Sequence, residues 1–179
     1  MTEPDRSAPE LPIPAVSLVV LVGPSGSGKS TFARRHFLPT EIVASDLCRA
    51  LVSDDETSQA ASHNAFELLH FIARKRLRAG RLTVADATSV RSDHRSSLVA
   101  LAHDCGVPAI AIVFDLPEDE CLERNRARLD RVVPEQVVRK QLRDLRLGSA
   151  SLEGEGFHHV YVLSSTEKIE TAVPKRVAS

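Results

Sequence analysis

The 179-residue chain sets 23 Lys and Arg against 24 Asp and Glu, a formal net charge of −1, so no global field draws it to nucleic acid or acidic membranes and any such contact is local. Its 42% apolar and 26% charged residues suit one soluble globular domain that buries about 70% of its unfolded surface. Cys48, Cys105 and Cys121 are odd in number and widely spaced, which disfavours a disulfide framework and a zinc site and points to a reducing, cytoplasmic setting.

The first fourteen residues carry Pro4, Pro9, Pro12 and Pro14 and no signal-peptide pattern, predicting a flexible lead-in over 1–14. A single domain is expected over 15–170. Within it, strands are predicted at 16–22, 41–45, 81–87, 108–115 and 159–164, and helices at 29–37, 46–52, 57–79, 90–105, 117–129 and 134–147. In the long third helix, Ala61, Ala65, Leu68, Leu69, Ile72 and Leu77 keep one face apolar. The strand runs are mostly continuously apolar, as strands covered on both faces require. Strands alternating with helices give an α/β fold: a parallel sheet flanked by helices and joined by right-handed crossovers. No stretch approaches the roughly 18 apolar residues of a membrane helix, and the weakly patterned tail over 171–179 is expected to be flexible.

Between the first of these strands and its helix stands "GPSGSGKST", which meets the pattern G-x-x-x-x-G-K-[ST] with Gly23, Gly28, Lys29 and Ser30. Such a loop aims successive backbone N–H groups into one concavity, and the following helix adds its dipole. Gly23, Ser25, Gly26, Ser27, Gly28, Lys29, Ser30 and Thr31 are the expected nucleotide-binding set. Lys29 can reach the β- and γ-phosphates, and the Ser30 hydroxyl can ligate Mg²⁺. The plain alternative is a tight glycine turn.

The loop does not name the phosphate's destination. "VASDLCR" puts Asp46 at the carboxyl end of the second strand and Arg49 three residues on, on the same helix face. Asp46 can take a proton from an acceptor hydroxyl while Arg49 steadies a nearby phosphate; alternatively Asp46 simply caps the helix. "VADATS" puts Asp86 at the same sheet edge, where it could bind Mg²⁺ through water, hold Arg49 or the acceptor, or stand exposed. In "ERNRARLDR", Arg124, Arg128 and Arg131 would form one helical stripe, a lid over a triphosphate or else a solvated basic face. The seven histidines form no metal-ligand pair, and no N-K-x-D segment for guanine occurs. Three functions stay open on the residues alone: a kinase acting on nucleic acid, a small-molecule kinase, and an ATP-driven binding module.

Taken together, "GPSGSGKSTFARRHF", "VASDLCRALVSDDE", "LTVADATSV" and "ERNRARLDR" resemble the kinase module of bacterial polynucleotide kinase-phosphatases, over about 16–165. The resemblance implies an adenylate-kinase-like P-loop fold with an arginine-bearing lid. The reaction it implies moves the γ-phosphate of ATP, with Mg²⁺ or Mn²⁺, to the 5′-hydroxyl of RNA or DNA. Lys29 and Ser30 then match the phosphate- and metal-binding pair, and Asp46 the general base. Arg49 and Asp86 match acceptor-side residues, and Arg124, Arg128 and Arg131 match lid arginines. Family members usually continue into phosphatase and ligase-like modules, for which the chain after Ser165 has no room, so those are expected only as parts of a larger repair protein.

Overall fold

The structure, a computed structural model, describes residues 9–129 and 131–178. In chain order it runs through β1 (Glu10–Pro14), β2 (Leu18–Val22), α1 (Lys29–His36), β3 (Ile42–Ala44), α2 (Ser45–Ser53), α3 (Ser62–Arg78) and β4 (Thr83–Asp86). It continues with α4 (Ser92–Asp104), β5 (Ala109–Phe114), α5 (Glu118–Arg126), α6 (Glu135–Ser149), β6 (His159–Leu163), α7 (Thr166–Thr171) and β7 (Val173–Val177).

Five strands form a parallel sheet in the order β3-β4-β2-β5-β6. All five residues of β2 are fully buried, because side chains on both of its faces meet helices. Val19 and Leu21 point into a core with Phe32 of α1, Ile112 and Phe114 of β5 and Leu142 of α6. Leu18, Val20 and Val22 point the other way, against Leu69 of α3 and Leu98 of α4. From β2 the chain crosses to one side for β3 and β4 and to the other for β5 and β6. The crevice therefore opens at the carboxyl end of β2, where ligands lodge in open α/β sheets.

The ends depart from expectation. β1 lies within the lead-in read as flexible, and β7 within the tail read likewise, yet they pair in parallel from Glu10 with Val173 to Pro14 with Val177. Leu11 and Ile13 are buried in the first core, the Tyr161 hydroxyl donates to the Pro12 carbonyl at 2.7 Å, and Arg176 pairs with Glu41 at 2.7 Å. Prolines are tolerated there because a two-stranded edge leaves one side of each strand without ladder bonds to make. The remaining part of the lead-in, 1–8, lies outside the described residues. Among the described residues no helix is long and apolar enough to cross a membrane.

Candidate active site

The loop between β2 and α1 turns on two glycines with left-handed backbone, Gly26 (φ 82°) and Gly28 (φ 92°). A Cβ on Gly26 would stand 2.2 Å from the Cys121 carbonyl oxygen, so only glycine lets the loop lie against α5. Loop and strand edge are joined where the Gly23 amide donates to the Thr88 carbonyl at 3.0 Å. Farther along, the Ser25 amide donates to Oε1 of Gln141, from α6, at 2.8 Å.

Lys29 opens α1 and is buried. Its ammonium donates to the Pro24 carbonyl at 2.7 Å and reaches Ser27 Oγ at 3.5 Å. Burial pulls its pKa down to about 8, against the raising influence of the nearby Asp86 carboxylate. Asp86 ends β4 and is only 8% exposed, which overturns the solvent-exposed alternative for it. The loop around Asp86 is braced from behind. Fully buried Arg95 grips Glu155 with two bonds of 2.6 Å and donates to the carbonyls of Val90 (2.6 Å) and Ser89 (3.2 Å). That brace holds Ser89 in a left-handed conformation (φ 46°).

A cavity of about 700 Å³ spans this edge. Ser25, Gly26, Gly28, Lys29, Ser30 and Thr31 line it from the loop, Asp46 and Glu56 from the α2 side, Asp86 from β4, and Arg124 and Arg128 from the return after β5. Gly23 and Ser27 shape the loop without lining the cavity; buried Ser27 turns its hydroxyl to the Pro24 carbonyl at 2.8 Å.

Asp46 is the second residue of α2, whose N-cap is Ala44, with no side-chain cap bond. The capping alternative is thereby corrected: an Asp in the first turn gains from the helix dipole, and its oxygens face other partners. Arg49 pairs with Asp46 Oδ1 and donates through Nε to the Glu56 carbonyl at 2.8 Å. Burial, and then the neighbouring Arg131, lower the pKa of Arg49.

The three arginines expected to form a lid do not share a helical stripe. α5 stops at Arg126, so Arg128 and Arg131 follow the helix rather than continue it. The buried amide of Asn125 takes both backbone groups of Val133, its Nδ2 donating to the carbonyl at 2.7 Å and its Oδ1 accepting from the N–H at 3.1 Å. That staple folds the chain back before Pro134. Arg124 stays on α5, its guanidinium donating to Thr166 Oγ1 at 2.6 Å, and Thr166 donates onward to Glu120 at 2.7 Å. Arg131 instead reaches Asp46, at 3.1 Å.

The sequence reading missed four participants: Glu56, whose carbonyl accepts from both Arg49 and Arg131, Thr166 and Glu120, which aim Arg124, and Gln141 on the loop amide. The Asp55–Thr57 turn that presents Glu56 was the nearest legible signal, since Asp55 Oδ1 accepts from both the Thr57 amide and hydroxyl, at 2.8 and 2.7 Å. No group of three or more His, Cys, Asp or Glu that could hold a metal occurs among the described residues.

With loop, strand order and acidic edge in place, comparison with known proteins decides the family. The profile of the AAA domain family AAA_33 matches residues 18–148. The chain belongs to that family. One curated relative, the Arabidopsis thaliana transcription factor bHLH140, is 27% identical over 165 residues, covering 87% of this chain. The chain spans only 17% of that relative's length. Among solved structures, the Pnkp1/Rnl/Hen1 RNA repair complex matches with a TM-score of 0.68 at 22% identity, over 84% of this chain and 49% of that one. The Mycobacterium tuberculosis APS kinase CysC, in complex with AMPPNP and APS, matches with a TM-score of 0.56 at 20% identity, over 88% of this chain and 93% of that one. The AAA_33 domain here thus has the parallel, helix-flanked α/β fold of P-loop kinases.

Proposed function

We propose that this AAA_33 domain is an ATP-dependent kinase that transfers the γ-phosphate to the 5′-hydroxyl end of RNA or DNA. The observation that carries the reading is Asp46, which lines the same cavity as Lys29 and the glycine loop while Arg49, outside that lining, pairs with it. A hydrolytic switch needs a group that positions water; a kinase needs a base for an alcohol beside a cation for the acceptor's charge, and this pair supplies both.

In this reading the backbone N–H groups of Ser25–Thr31 and the Lys29 ammonium bind the triphosphate of ATP, and Arg124 and Arg128 approach it from the other wall. The Ser30 hydroxyl and the Asp86 carboxylate are hard oxygen donors lining one cavity, and two such donors fit a Mg²⁺ ion that takes its other ligands from phosphate and water. When bound, that ion neutralises charge on the phosphate oxygens. Asp46 orients the incoming hydroxyl and takes its proton. Because the transition state of phosphoryl transfer is loose, the proton moves late and Asp46 needs no unusual basicity.

Two similarities support the acceptor class: the motifs that resemble those of polynucleotide kinase modules, and the fold shared with a chain of an RNA repair complex. Phosphatase and ligase partners in a larger repair assembly belong to the same proposal. The competing reading is a small-molecule kinase, favoured by the fit of nearly the whole APS kinase to this chain. The deciding experiment incubates the protein with γ-labelled ATP and equimolar 5′-OH RNA, 5′-OH DNA, a sugar and APS. Label at the oligonucleotide 5′ end is expected; label only on a small acceptor, or none on any, rejects the polynucleotide reading.

A further inference from the structure

The segment returning from α5 to α6 carries Arg131 to α2, a partner 85 positions away in sequence. Arg131 Nη1 donates to Asp46 Oδ1 at 3.1 Å and to the Glu56 carbonyl at 3.4 Å. Arg49 uses the same two acceptors, through Nη2 and Nε. Both guanidiniums are largely shielded, their side chains 13% and 17% exposed, whereas Asp46 is 42% exposed. Two like charges are therefore held side by side over one carboxylate oxygen and one carbonyl, and both leave Asp46 Oδ2 to other partners. The two like charges disfavour each other: after burial, Arg131 is the cause that lowers the Arg49 pKa, with Glu56 opposing.

A carboxylate base beside a nucleic-acid phosphate faces like-charge repulsion. One guanidinium suffices to neutralise Asp46; a second supplies the charge that a phosphate would meet, in the planar geometry that suits it. Arg124 points elsewhere, to Thr166 at the start of α7. Resting on the polynucleotide reading above, we infer that Arg131 is an acceptor-binding residue that forms with Arg49 a two-guanidinium clamp for the phosphate next to the reactive 5′-hydroxyl, and not a lid arginine for the donor triphosphate.

The test measures binding of a fluorescent 5′-OH single-stranded oligonucleotide, with a non-hydrolysable ATP analogue present, across a salt series, and separately binding of the analogue. Wild type, Arg131→Ala, Arg131→Lys and Arg124→Ala are compared, with thermal midpoints to confirm that each variant is folded. Arg131→Ala is expected to weaken oligonucleotide binding about tenfold or more. It should also flatten the log–log salt slope by about 0.7, one single-strand phosphate contact. Analogue affinity should stay within about twofold of wild type, and Arg131→Lys should keep the slope with part of the affinity. An unchanged slope, or a loss of analogue affinity matching that of Arg124→Ala, overturns the assignment. Label transfer by wild type to 5′ ends separates the two failures: if transfer occurs with an unchanged slope, the clamp alone falls, and if no transfer occurs, the polynucleotide reading falls and the clamp with it.

Discussion

Burial strips the Lys29 ammonium of water, and Pro24, Ser27 and Asp86 return only part of that solvation, so its pKa stands near 8 rather than 10.5. Between those values the unfolded chain holds a proton that the folded chain lacks, and this residue's contribution to stability rises with pH through that window. The phosphate binding proposed for Lys29 runs the other way, since it needs the charged form. The Kd of an ATP analogue should rise roughly tenfold from pH 7 to pH 9, and Lys29→Met should flatten that profile, as titration calorimetry at several pH values would record. In the proposed reaction Asp46 makes the opposite demand, mattering for transfer and not for the nucleotide. Asp46→Asn should lower kcat by about 10²-fold or more while the analogue Kd moves less than about threefold; a joint loss in a paired kinetic and binding assay would remove Asp46 from the acceptor side. Lys29, Asp46 and Asp86 were readable because each ends a strand or opens a helix in an obvious pattern. Glu56 and Gln141 were not. One acts through its main-chain carbonyl and the other through a neutral amide, and neither role leaves a mark on residue type.

At the scale of elements, the loop keeps its shape only while α5 can approach it. Gly26→Ala would place a methyl carbon against the Cys121 carbonyl in a backbone conformation that alanine resists. The expected cost is about 2–3 kcal/mol, seen as a melting point lower by about 5–10 °C together with weakened analogue binding. Strands and helices were legible because doubly covered strands read as unbroken apolar runs and α3 repeats its buried face at Ala65, Leu69, Ala73 and Leu77. The arginine stripe misled for a specific reason. Spacing of four and three residues reports a helix only if the helix persists, and the Asn125 amide binding Val133 ends α5 before Arg128. A side chain that satisfies backbone groups eight residues away has no periodic signature.

For the molecule as a whole, the two ends of the chain complete the core. Ile13, 1% exposed, packs in the layer that holds Phe32, Phe114 and Leu142. Ile13→Ala should cost about 2–4 kcal/mol by urea denaturation, an amount no flexible lead-in would register. Four prolines in the first fourteen residues concealed β1, and its partner lies at the far end of the sequence, so no local pattern could announce the pair. That pairing has a mechanical corollary. Strands running the same way, one near each terminus, meet an outward pull on the ends as shear: five registered positions bear the load at once, where antiparallel ends would peel apart bond by bond. A tether at each end would stretch its own slack before the five-stranded core felt the force, leaving the glycine loop and its acidic edge undisturbed until the ribbon ruptured.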